Sequence, residues 1–146
     1  SLRGKADRID KLHDGRLVIF DYKAGKPPEK SRMRYFDRQL PIEALMAEQG
    51  GFENVAAAEV AHVTHIGLGR TPETRDTELT QTDETDFRTV TISGELARLL
   101  ASFDSVSKGY SARRAMEKLR FDGDYDHLAR FGEWDETQSP ETVRLP

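Results

Sequence analysis

Hydrophobic positions change their period from one segment of this chain to the next, and the changes predict its elements. Leu17-Val18-Ile19-Phe20 is apolar at every position and rich in β-branched and aromatic side chains. Such a run after a turn reads as a strand buried on both faces. The turn is supplied by Asp14-Gly15, a strong short-range hairpin signal. The preceding segment, GKADRIDKL, does not alternate cleanly at Ala6, Ile9 and Leu12. Together the two segments predict a β-hairpin with strands over roughly 4–12 and 16–23.

Gly25 and the pair Pro27-Pro28 mark a loop over 24–30, and 31–38 is charged and fits neither period. Residues 40–48 (LPIEALMAE) predict a helix, with Pro41 tolerated in its first turn and Gly50-Gly51 ending it. Residues 59–68 (EVAHVTHIGL) predict a strand in which Val60, His62, Thr64 and Ile66 alternate with Ala61, Val63, His65 and Gly67. The polar stretch 70–87 reads as a long excursion, and 88–92 as a short strand. Ser93 is the expected N-cap of a helix bearing Leu96, Leu99 and Leu100, broken at Lys108-Gly109-Tyr110. Residues 111–120 read as helical, 124–134 as a compact aromatic patch that includes Trp134, and the tail from Asp135 as polar. The order β-β-α-β followed by helices predicts a mixed α/β domain.

The length of 146 residues fits one domain. There is no cysteine, which excludes disulfides, thiolate metal sites and cysteine nucleophiles and is compatible with a reducing, cytoplasmic setting. No apolar run reaches the roughly 18 residues a membrane span needs, and the first fifteen residues are too charged for a signal peptide. The chain opens with Ser1 and runs directly into strand-like sequence, as a piece of a longer protein would. Net charge is −4, unevenly spread: residues 1–40 hold 11 Lys/Arg against 6 Asp/Glu, the remainder 11 against 20. A basic lobe beside an acidic body suits a local phosphate-contacting surface, and equally a solvated surface of uneven charge.

The candidate chemistry lies on the hairpin. Asp21 and Lys23 are two apart at the end of a buried strand, so both emerge on one side. A turn at 14–15 places residues with index sum near 29 opposite each other, which brings Asp7 within about two positions of Asp21. Two carboxylates held together make a hard-oxygen site for Mg²⁺ or Mn²⁺. An adjacent lysine can orient water or offset charge in phosphodiester hydrolysis. Taken alone, an Asp-x-Lys pair at a strand end is more often a salt bridge. His62 and His65 are three apart on a strand and therefore on opposite faces, a poor metal pair. His13 reads as a turn residue, and Gly67-Leu68-Gly69-Arg70 lacks the pattern of a phosphate loop.

Four segments in order, Gly4-Lys5-Ala6-Asp7-Arg8-Ile9-Asp10, Asp14-Gly15, Phe20-Asp21-Tyr22-Lys23-Ala24-Gly25 and Gln39-Leu40-Pro41, resemble the RecB-like branch of the PD-(D/E)XK nucleases. The segments QLPIEALMAEQGGF and GDYDHLARFGEW are similar to the C-terminal nuclease domain of the AddB family of double-strand-break repair subunits, alphaproteobacterial type. The resemblance implies a restriction-endonuclease-like α/β core, a mixed β-sheet flanked by helices, with 1–146 as a nuclease domain lacking its first helix. It implies Mg²⁺-dependent, exonuclease-type hydrolysis of DNA within a helicase–nuclease complex, with Mn²⁺ as substitute cation and an AddA-type helicase–nuclease subunit as partner. By motif, Asp7, Asp21 and the Tyr22 carbonyl would bind metal, Lys23 would be the catalytic lysine, and Gln39 would sit near the lysine or the phosphate. Asp10 would be structural, bonding Arg8 or a nearby loop. Arg8, Lys11, Lys26, Lys30, Arg32 and Arg34 are candidates for DNA backbone contacts, which read charge rather than sequence.

The chain departs from the pattern in three places. Ala24 stands where Ser or Thr is usual, and Glu43 stands where the family often has tyrosine. The acidic or histidine residue carried on a helix before the first motif is not in this sequence. Two other readings stay open: a catalytically silent DNA-binding or scaffolding domain with the nuclease fold, and a structural domain whose Asp-x-Lys pair is a salt bridge.

Overall fold

The computed structural model describes residues 2–79, 87–109 and 127. The chain divides into two compact units, Ser1–Ala97 and Arg98–Pro146. In the first, strands β1 (Arg8–Lys11), β2 (Leu17–Lys23), β3 (Val60–Gly67) and β4 (Glu73–Glu78) form one sheet in the order β1-β2-β3-β4. β2 pairs antiparallel with β1 and parallel with β3, and β4 closes the far side antiparallel to β3. The crossover from β2 to β3 carries helices α1 (Lys30–Tyr35) and α2 (Gln39–Glu48). This is the mixed α/β architecture that the order of elements predicts, and the mixed sheet with flanking helices that the resemblance implies.

The β1–β2 hairpin turns through three residues, not two. Leu12 N–H donates to Arg16 C=O at 2.8 Å, and Gly15 takes a φ of +91°. That is the left-handed position of a three-residue hairpin loop, which glycine fills without strain. Asp14 closes the loop by accepting the Arg16 N–H at 3.0 Å. The extra loop residue makes the index sum 28, as in Arg8↔Phe20, one less than a two-residue turn would give. β1 is accordingly shorter than expected, and Asp7 lies just before it.

β2 is the central strand, with Leu17, Val18 and Ile19 all buried. Leu17 and Ile19 join Met33, Leu40, Ala44, Ala47, Val60 and Val63 in one apolar cluster beneath the crossover helices. In α1 Met33 is the buried anchor, while α2 buries Leu40, Ala44 and Ala47. α2 ends as its glycines predict. Gly51 N–H reaches Met46 C=O at 2.8 Å, Gly50 N–H reaches Ala47 C=O at 3.1 Å, and Gly50 has φ +70°. These two bonds satisfy carbonyls that the helix end would otherwise leave unpaired.

Three expectations need correction. β3 does not alternate strictly: the pairing steps from Leu17↔Val60 to Val18↔His62, so Ala61 is an extra residue. Such a bulge reverses the facing of the residues after it, which is why Val60 and Val63 both reach the core. The polar stretch 70–87 contains β4, whose charged and threonine side chains suit a sheet edge. Asp76 of β4 accepts from the Thr64 hydroxyl and lies 2.8 Å from His62 Nδ1, so cross-strand polar pairs replace the missing apolar pattern. Finally, 88–92 is not a strand. Helix α3 runs Thr89–Phe103, and Ser93 lies inside it rather than capping it. Ile92 is buried, and the Thr89 hydroxyl donates to Glu48. These tertiary contacts override the β-branched preference of Thr89-Val90-Thr91-Ile92. Farther along α3, Leu99 and Leu100 are exposed. The expected helix over 111–120, the aromatic patch and the polar tail lie outside the described residues, apart from His127, an exposed turn residue. Among the described residues no helix is long and apolar enough to cross a membrane.

Candidate active site

Side chains of one parity on β2 run Leu17, Ile19, Asp21, Lys23, and this is the face that α2 covers. The face is apolar in mid-sheet and becomes ionic at the strand's C-terminal end. Asp21 is buried there, 4% exposed. Lys23 Nζ lies 3.0 Å from Asp21 Oδ2 and 3.2 Å from Oδ1, but is angled to hydrogen-bond only Oδ1. Asp21 Oδ2 is thus buried without a hydrogen bond among the described residues.

Asp7 arrives from the other side of the hairpin. The β1–β2 ladder runs from Lys11↔Leu17 to Arg8↔Phe20, and beyond it Tyr22 N–H donates to Asp7 Oδ2 at 3.0 Å. One carboxylate oxygen of Asp7 thereby takes the place of a ladder bond and ties Asp7 to the residue after Asp21.

The N-terminus of α2 supplies the third side. Lys23 Nζ donates to Gln39 Oε1 at 3.4 Å, and Gln39 Nε2 donates to Glu43 Oε1 at 3.0 Å. Glu43 is buried, and its Oε2 has no hydrogen-bond partner among the described residues. Burial, then the Asp21 and Asp7 carboxylates, push its carboxyl above the usual range, while the Gln39 bond and the Lys23 charge pull the other way. On β3, His65 pairs with Asp21 in the register, is 1% exposed, and has both ring nitrogens unpartnered among the described residues. Burial holds its pKa below the ordinary histidine value, against the pull of Asp21.

The structure therefore brings Asp7, Asp21, Lys23 and Gln39 together and adds Glu43 and His65. Glu43 is legible in the sequence only as the residue four after Gln39, on the same helical face. The burial of His65 depends on the β3 bulge, which the sequence does not announce. Lys11, Lys26, Lys30, Arg32 and Arg34 are all exposed. Arg8 is exposed too, but its guanidinium is paired with Asp10 and sits 5.0 Å from the Phe20 ring centroid.

Among the described residues no three Asp, Glu or His side chains group closely enough to hold an ion by themselves. The donor set still fits a hard cation. Asp21 Oδ2 is buried and hydrogen-bonded to none of the described residues, with the Lys23 ammonium 3.0 Å away, and the Asp7 carboxylate is tied to the N–H of Tyr22, the residue after Asp21. Two carboxylates, a backbone carbonyl and water are a usual ligand complement for Mg²⁺.

The sequence profile of the PD-(D/E)XK nuclease superfamily matches residues 1–129. The chain belongs to this superfamily. Its mixed four-stranded sheet with flanking helices agrees with the restriction-endonuclease-like fold of that superfamily, whose members typically use divalent metals. No curated protein and no solved structure matches the chain. Membership points to a nuclease, and so to phosphodiester hydrolysis on a nucleic-acid substrate.

Proposed function

We propose that the chain hydrolyses DNA phosphodiester bonds with Mg²⁺ or Mn²⁺. The observation that carries this reading is the setting of Lys23, whose Nζ is held between the Asp21 carboxylate at 3.0 Å and the Gln39 amide oxygen at 3.4 Å. Asp7, Asp21 and the Tyr22 carbonyl would hold the cation. When bound, the ion would lower the pKa of a water ligand and offset charge on the phosphoryl oxygens.

The side chains divide the remaining tasks. Asp21 and Gln39 restrain the Lys23 ammonium at the strand end, where it donates hydrogen bonds to the attacking water and to the oxygen that gains charge. Asp7 is fixed by the N–H of Tyr22, which is next to Asp21 in the chain. Lys11, Lys26, Lys30, Arg32 and Arg34, with Arg8 beside Asp10, offer exposed positive charge for the DNA backbone. The resemblance to the AddB family extends the proposal to end processing of double-strand breaks in a helicase–nuclease complex, with an AddA-type subunit as partner.

The test is digestion of end-labelled linear duplex and single-stranded DNA with Mg²⁺ or Mn²⁺, alone and with an AddA-type subunit. Wild type is expected to release nucleotides only with metal, Asp21→Asn to release none, and Lys23→Met to release them far more slowly. Salt-sensitive DNA binding without cleavage in every arm would favour the silent DNA-binding reading.

A further inference from the structure

We propose that Glu43 is a positioning residue that turns the Gln39 amide so that its oxygen, and not its amine, meets Lys23. The inference rests on the reading of this site as a metal-dependent nuclease. Lys23 Nζ can only donate, and Glu43 Oε1 accepts the Gln39 Nε2 bond at 3.0 Å. Gln39 joins them with one accepting end and one donating end. Rotated by half a turn, its amine would face the ammonium and its oxygen would face the carboxylate, replacing two attractions with two repulsions.

Of the three, Glu43 is the fixed end. Gln39 is exposed and Lys23 is half-buried on a four-carbon stem, whereas Glu43 is 4% exposed. It lies one helical turn after Gln39 on α2, where the i, i+4 spacing brings the side chains together. The other buried side chains of α2 are Leu40, Pro41, Ala44 and Ala47, so packing there asks for an apolar residue. A carboxyl is held instead, desolvated, near two other acids, with its one hydrogen bond among the described residues going to Gln39. Burying an acid for a single bond is costly unless that bond serves something else. Here the bond sets the amide that sets the lysine.

The experiment uses the full 146-residue chain carrying ¹³C at lysine Cε, with the Lys23 signal assigned from its loss in Lys23→Arg. Without metal, Glu43→Met and Gln39→Leu are expected to move the Lys23 signal alike. Glu43→Gln, whose oxygen still accepts the Gln39 amine, returns it toward wild type. In Mn²⁺-dependent cleavage, Glu43→Met and Gln39→Leu lower kcat on the order of tenfold to a hundredfold by misplacing the lysine. KM and Mn²⁺ affinity stay at wild type. The double variant is no slower than either single one, as for two residues acting through one bond. Glu43→Ala carries the same comparison should Glu43→Met lack a cooperative melt. A Lys23 signal unmoved in the Glu43 variants overturns the proposal, as does additive loss in the double variant. Mn²⁺ affinity lost with Glu43→Met but kept with Gln39→Leu overturns it too, by assigning Glu43 to the metal. A wild type that neither binds Mn²⁺ nor cuts DNA defeats the nuclease reading instead, and the metal-free Lys23 signal still decides the role of Glu43.

Discussion

Asp7 Oδ2 accepts the backbone N–H of Tyr22 at 3.0 Å, across the hairpin and one residue beyond Asp21. The bond does two things at once. It extends the strand pairing past the last ladder pair, Arg8↔Phe20, and it delivers a carboxylate to the end of β2 where Asp21 and Lys23 emerge. Structure and chemistry at Asp7 are therefore separable by substitution.

Asp7→Asn keeps an oxygen for the Tyr22 N–H but removes the charge, whereas Asp7→Ala removes both. With Mn²⁺ at 100 times its dissociation constant, a single site raises the stability of wild type by about 2.7 kcal/mol. Thermal melting with and without Mn²⁺ is expected to show that gain for wild type and lose it for Asp7→Asn, Asp7→Ala and Asp21→Ala. Without metal, Asp7→Ala melts below Asp7→Asn, because only it leaves the Tyr22 N–H without its acceptor. Equal Mn²⁺ stabilisation of wild type and Asp21→Ala would remove the metal assignment.

Lys23 separates catalysis from metal binding in the opposite sense. Its ammonium lies against Asp21 and would repel a divalent ion nearby. Lys23→Met should slow cleavage on the order of a hundredfold to a thousandfold, the usual loss for one donor to a charged transition state. Mn²⁺ affinity, measured calorimetrically, is expected to hold or tighten. A variant that loses Mn²⁺ binding along with activity would place Lys23 in building the site rather than in the chemistry.

His65 gives the acid side of the stability profile a definite sign. Burial lowers its folded-state pKa below 6.5, so the unfolded chain binds the proton more readily. Its contribution is complete above that value and is lost as pH falls through 6.5 toward the depressed folded value. Urea unfolding of wild type is expected to lose stability across this window more steeply than His65→Leu, which has nothing to titrate there. Parallel slopes would show that His65 is not the group responsible.

Legibility in the sequence tracks the strength of local signals. Leu17-Val18-Ile19-Phe20 announces a central strand because four apolar positions in a row have few other uses. The helix over 40–48 is bounded by Pro41 and Gly50-Gly51, whose backbone requirements are local. Asp7, Asp21 and Lys23 stand out because a hairpin and a strand end bring them together within a short stretch of chain, whereas Gln39 stands out only through the family motif. β4 is not legible, since its polar side chains matter only once β3 offers a ladder and the partners His62 and Thr64. The start of α3 is hidden for the same reason: Thr89 is held by Glu48, which is 41 residues away. Glu43 and His65 come to lie beside Gln39 and Asp21 through burial, which no local pattern encodes.

Gly67 tests how tightly the backbone must close around the lysine. It pairs with Lys23 in the β2–β3 register, and the next residue, Leu68, donates its N–H to Lys23 C=O at 2.8 Å. A Cβ on Gly67 would come within 2.7 Å of Pro27 Cδ and 2.8 Å of Gly25 C=O. Neither a proline ring nor a backbone carbonyl swings aside as a long side chain would, so Gly67→Ala must push the loop after Lys23 off the sheet. Overpacking of this kind costs about 1–3 kcal/mol. Gly69→Ala is the control, because its Cβ would meet Ala24 C=O and Gly25 Cα at 3.5 Å, an ordinary contact. Gly67→Ala is expected to lower the urea midpoint and slow Mn²⁺-dependent cleavage, and Gly69→Ala to do neither. If Gly67→Ala keeps the wild-type midpoint and rate, the loop has room to yield. The close approach would then not be what holds Lys23 in place.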